Sequence, residues 1–131
     1  MDITKYPQFH LYLLTLHLLM IKDQLLPLNC DNRCVNATII NRAYYSAYLY
    51  CSLWLEDVKK FKPISSWEFD ENEKKISKHR QIRNALYNFN EPKMGSKLDK
   101  LFDLRFKADY MPFTEITPEE IEESIKRNLI N

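Results

Sequence analysis

Five stretches of this chain place apolar residues three and four positions apart, the spacing that gives a helix one face away from water. The first runs from Pro7 to Leu26 and stops at Pro27; it is apolar on most sides, which predicts a central helix. A loop with Asn29, Cys30, Asp31 and Asn32 follows. The second, Asn36 to Lys60, repeats Ala43, Ala47 and Cys51 at helical spacing, a seam of small residues that lets another helix come close. Tyr44, Tyr48, Trp54 and Leu55 flank the seam, while Arg42, Tyr45, Leu49 and Ser52 lie on another face. A linker from Lys62 to Asp70, with Pro63 and Trp67, leads to a third helix from Glu71 to Asn88. Its apolar stripe is Ile82, Leu86 and Phe89, and His79 lies on that stripe. Asn90-Glu91-Pro92 ends it, because the residue before proline is pushed out of helical geometry. The fourth begins near Ser96, carries Leu98, Leu101, Leu104 and Ala108, and ends at Pro112. The fifth has the clearest start: Thr117 as N-cap, Pro118 at the first helical position and Glu120 closing a capping box. Ile116 and Ile121 are set for a hydrophobic staple, and Ile121, Ile125 and Leu129 form a narrow stripe.

Composition agrees with that pattern. A chain of 131 residues with 45% hydrophobic residues predicts one domain with a real core, and a single glycine argues against an all-β fold and its many turns. The expectation is an all-α, up-and-down bundle of four to five helices spanning residues 1–131. The apolar run from Phe9 to Ile21 is broken by His10, Tyr12, Thr15 and His17, so it is too short and too polar for a membrane span, and nothing frames it as a signal peptide. Cys30, Cys34 and Cys51 make an odd count and predict a reducing, cytoplasmic setting without a disulfide framework. Net charge is +1, but residues 71–110 carry ten basic and six acidic side chains and residues 111–131 carry two and five, a dipolar arrangement.

Glycine-rich phosphate loops, His-Glu-x-x-His, paired Cys-x-x-Cys and nucleophile elbows are all absent, so most familiar enzyme classes, metal sites and cofactors find no support. Arginines, tyrosines and one histidine remain. Arg42 sits mid-helix among alanines and tyrosines and needs a partner, because a charge near a core is costly alone. Arg105 either pairs with Asp109 one helical turn on or contacts a phosphate. His79 is a hydrogen-bonded core histidine or a catalyst. Lys74, Lys75, Lys78, Arg80 and Arg83 form a solvated face or an electrostatic footprint for RNA, with no exposed aromatics interleaved.

Two blocks carry a resemblance. Asn41-Arg42-Ala43-Tyr44-Tyr45-Ser46-Ala47-Tyr48 resembles the Ser-Arg-Ala-Tyr-Tyr-Ala-Ala-Phe-His segment of HEPN domains. Leu104-Arg105-Phe106-Lys107-Ala108-Asp109-Tyr110 resembles that family's Leu-x-x-Arg-x-x-Ala-Asp-Tyr signature, and Ser77-Lys78-His79 between them resembles its Ser/Thr-x-His. The resemblance covers roughly residues 8 to 130 and implies a small helical bundle, often a homodimer. It also implies a prokaryotic toxin or phage-defence role, with metal-independent RNA cleavage through an Arg-x4-6-His motif. In that chemistry the histidine handles protons and the arginine steadies the phosphorane charge. Here Tyr110 stands at the histidine position after Arg105.

Three expectations follow. In the first, a variant ribonuclease site uses Arg105, Tyr110 and His79, with Arg42, Lys78, Arg80 and Arg83 on RNA phosphates. In the second, a non-catalytic module binds RNA, a nucleotide or a partner such as an antitoxin or minimal nucleotidyltransferase, and Arg42 pairs with an acid such as Asp109. In the third, a structural dimer or assembly subunit uses Tyr45, Leu49 and the acidic last helix as its interface, with Tyr48 as a further interface residue.

Overall fold

The computed structural model describes residues 7–25, 32–63, 68–69 and 75–126. Cys30, Trp67, Lys74, Arg127 and Leu129 lie outside the described residues. Among the described residues the architecture is an all-α bundle of five helices: α1 (Pro7–Leu25), α2 (Asn32–Lys59), α3 (Lys78–Asn88), α4 (Pro92–Tyr110) and α5 (Pro118–Lys126). Two short strands, β1 (Glu68–Phe69) and β2 (Lys75–Ile76), pair antiparallel with Glu68 opposite Ile76 and Phe69 opposite Lys75.

The central helix is α2, which packs against each of the other four. Helix α1 was expected at the centre; it lies at the edge, packed on α2, with Leu13, Leu14 and Met20 exposed. Apolarity on several sides told correctly that α1 has much apolar surface, but not what covers it. The predicted small-residue seam is real: Ala43, Ala47 and Cys51 are buried, and Ile82, Leu86, Leu98 and Leu101 pack with Ala47 and Cys51 in one core cluster. Burying the Cys51 thiol pushes its pKa far up, which leaves an inert, core-type cysteine. A second cluster joins Val35, Ile39 and Ile40 of α2 to Ala108, Ile116 and Ile121.

Three boundaries differ from expectation. Helix α2 starts at Asn32, four residues before Asn36, and α3 starts at Lys78 because the Ser77 hydroxyl accepts the Arg80 N–H as an N-cap. Residues 75–76 upstream are extended in β2. Helix α4 starts at Pro92, four residues before Ser96. Proline is suited to a first helical turn because its missing N–H is not needed there. Gly95 sits inside α4 where a Cβ would come 2.8 Å from the Tyr87 ring, so this glycine marks a close approach and not a break. Helix α3 ends at Asn88, where expected, and the device is a left-handed Asn90 (φ 63°) with the Glu91 N–H returning to the Leu86 carbonyl.

Helix α5 opens as its sequence predicts. The Glu120 N–H donates to Thr117 Oγ1 (3.1 Å), and the Thr117 N–H donates to Glu120 Oε1 (3.0 Å). Lys107 Nζ donates to both oxygens of Glu120 at 2.7 Å, so the basic middle and the acidic tail of the chain meet directly. Burial alone would raise the Glu120 pKa, but the Lys107 hydrogen bond and the cap hold it below the ordinary carboxylate value.

Candidate nucleic-acid interface

The C-terminal half of α4 lies along α2, and the two resembling blocks face each other across this contact. Arg105 Nε donates to Asp109 Oδ2 at 3.0 Å, the i,i+4 pair read from spacing. That same oxygen accepts a 3.0 Å hydrogen bond from Asn41 Nδ2 on α2. The guanidinium carbon of Arg105 lies 5.3 Å from the ring centres of both Tyr44 and Tyr45 and 5.9 Å from that of Tyr110. Arg105 is therefore held by one carboxylate and three aromatic rings. Among the described residues only Asp109 accepts a hydrogen bond from it, which leaves its two terminal nitrogens for another acceptor.

Arg42 does not pair with Asp109, contrary to the expectation from its neighbours. It is exposed and has no ion-pair partner among the described residues, because Asn41, one position earlier, faces the carboxylate instead. Arg42, Asn41 and Asp109 line a cavity of about 410 Å³ with Arg33 and Thr38. Asn41 Oδ1 is buried without a hydrogen-bond partner among the described residues.

His79 belongs to a second constellation that shares Tyr44. Its Nδ1 is 2.9 Å from the Tyr44 hydroxyl, and its Nε2 is 3.5 Å from Asp99 Oδ1. A carboxylate only accepts, so Nε2 carries the proton and Nδ1 accepts from Tyr44. The imidazole stacks on Phe102 with centroids 4.2 Å apart, and its side chain is 12% exposed. Burial lowers its pKa and outweighs the opposing pull of Asp99, so the ring is neutral near pH 7. Burial also drives the Tyr44 hydroxyl well above its ordinary value. Arg83 Nε donates to Asp99 Oδ2, and Arg83 lies over the Tyr87 ring at 5.3 Å. His79, Arg80 and Arg83 line a separate cavity of about 400 Å³ with Asp99 and Asp103, while Lys78 is exposed beside it.

The fold thus brings Arg105 together with Tyr110, Tyr44 and Tyr45, and places His79 behind Tyr44 with both nitrogens engaged. Tyr45 and Tyr48 are half-buried against the core beside Tyr44. Four residues given no role from sequence matter. Phe106, Tyr110 and Phe113 are all exposed, Tyr110 by 62%, and the Phe106 and Tyr110 rings are 5.1 Å apart. Asp99 joins α3 to α4 through His79 and Arg83. Arg33 donates to the carbonyls of Lys107, Ala108, Met111 and Thr114 at 2.7–3.2 Å, closing the C-terminal end of α4. Phe106 and Phe113 could have been flagged as aromatics flanking an arginine block; nothing local in sequence announces Arg33 or Asp99.

Among the described residues no cluster of His, Cys, Asp or Glu is arranged to hold a metal ion, and no helix is long and apolar enough to cross a membrane. Compared with known proteins, the chain matches no family model, no curated protein and no solved structure.

Proposed function

We propose that this chain is a HEPN-like prokaryotic effector of toxin or defence type that holds single-stranded RNA at the end of α4. The observation that carries the reading is Arg105: a guanidinium fixed by Asp109 and faced by three tyrosines, of which exposed Tyr110 lies against exposed Phe106, with exposed Phe113 three residues further along the chain. Arginine binds phosphate through its planar fork, and exposed aromatic rings stack unpaired bases. Arg42, on the neighbouring cavity, adds a second phosphate contact. Lys78 and Arg80 extend the positive surface along α3.

The arrangement favours holding RNA over cutting it. His79 is the one histidine among the resembling blocks, and its two nitrogens are occupied by Tyr44 and Asp99. Metal-independent cleavage is the second reading, favoured by the exposed Tyr110 beside Arg105. A cognate antitoxin, a minimal nucleotidyltransferase or a second copy of the chain is the protein partner, and the cytoplasm the setting, that this reading carries.

Fluorescence anisotropy with labelled single-stranded RNA in EDTA, followed by gel analysis of the same samples, tests both readings. Binding without scission is expected. Arg105→Ala should weaken binding and flatten its salt dependence, and Phe113→Ala should cost about 1–3 kcal/mol. Scission that Arg105→Ala abolishes would establish the ribonuclease reading. A folded protein that binds no RNA would sink both.

A further inference from the structure

We propose that the cavity between the start of α2 and the end of α4 takes one base of the bound RNA and selects guanine; this rests on the chain's binding RNA. The cavity measures about 410 Å³, within the about 300–1,000 Å³ usual for small-molecule sites. Ala37 and Pro112 give it apolar walls, and Asn41, Arg42 and Asp109 give it polar ones. Asn41 Nδ2 donates to Asp109 Oδ2, which also accepts from Arg105 Nε, both at 3.0 Å. Turning the amide over would set its carbonyl against a carboxylate, so Oδ1 is the end left over. That oxygen is buried and unpaired, and Asp109 Oδ1 accepts no hydrogen bond among the described residues. Two neighbouring acceptors therefore lack donors. The donors beside them are committed: Arg33 serves the carbonyls at the end of α4, and Thr38 Oγ1 donates to the Cys34 carbonyl at 2.9 Å.

The group that fits brings two adjacent donors and no negative charge. A phosphate at this point would face the Asp109 carboxylate, and among the described residues no ligand cluster invites a metal ion. Of the four RNA bases, guanine alone carries two adjacent N–H donors, N1–H and the 2-amino group, on its Watson–Crick edge. Adenine and cytosine set an amino group beside an acceptor nitrogen, and uracil sets one N–H between two carbonyls. Each would turn a lone pair towards an acceptor oxygen, the mismatch by which a hydrogen-bonding site rejects an analogue. The terminal torsion of asparagine is broad, so a modest turn presents the Asn41 carbonyl to the cavity. Exposed Arg42 stays at the rim for the adjoining phosphate, and Arg105, paired to the same carboxylate, for another. Phosphate contacts set position and base contacts set sequence, and Asp109 stands between the two.

Fluorescence anisotropy with a labelled oligouridine, and with the same strand carrying one central guanosine, inosine or adenosine, tests the pocket, with circular dichroism on each variant. The guanosine strand should bind roughly tenfold more tightly than the oligouridine. Inosine keeps N1–H but lacks the 2-amino group, so most of that gain should go, and adenosine should bring little. Asn41→Leu should carry the guanosine-to-uridine affinity ratio towards one, a readout that a general loss of affinity does not move. Equal binding of all four strands overturns the proposal and leaves the RNA reading standing. So does a guanosine preference that inosine retains, or one that folded Asn41→Leu keeps. A folded wild type that binds none of the strands removes the RNA reading itself, and the guanine pocket falls with it.

Discussion

Arg33 gives its guanidinium to four backbone carbonyls around the end of α4. The last carbonyls of a helix lack partners within it, and a buried unpaired carbonyl costs about 1–3 kcal/mol. Arg33→Ala should therefore lower the unfolding free energy by about 2–3 kcal/mol in urea melts, given charge-assisted bonds of that order. Arg33→Lys should recover only part, since an ammonium lacks the planar fork that reaches several acceptors. His79 makes a separate prediction. Its pKa is lower folded than unfolded, so the unfolded chain takes up the proton first as pH falls. Its contribution to stability is full above the unfolded value of about 6.5 and is lost as pH drops through the folded value. Urea melts at pH 7.5 and 5.5 should show this loss, and His79→Gln should remove it from the wild-type difference.

Among elements, α5 was the most legible, because a capping box is written in adjacent residues. Thr117→Ala should cost about 1 kcal/mol in the same melts, the ordinary value of an N-cap hydroxyl. The starts of α2, α3 and α4 were read less well, and at α4 the reason is a residue with two meanings. Pro92 both stops α3 and opens α4, and Gly95 reads as a breaker until the Tyr87 ring is seen where its Cβ would stand. Helix α1 shows a different limit. Its apolar residues announce burial, but periodicity is blind to whether the cover is α2 or something outside the chain.

On the scale of the whole molecule, the all-α bundle could be read from composition and spacing, and its hub could not. Centrality belongs to α2, whose mean hydropathy is unremarkable beside that of α1, because it contributes to both core clusters, Val35, Ile39 and Ile40 to one and Tyr44, Ala47, Cys51 and Leu55 to the other. The candidate site was legible in part. Arg105, Asp109 and the tyrosines lie within short motifs, so their meeting follows once α2 and α4 pack. Arg33 with the carbonyls of α4, and Arg83 with Asp99, are contacts made only by the tertiary fold.

Tyr44 joins the two constellations: its ring faces Arg105 and its hydroxyl meets His79. One side chain thus serves both the partly buried arginine and the network that ties α2 to α3 and α4. A substitution that changes this ring therefore acts on both at once, and its effects on the two are coupled rather than additive.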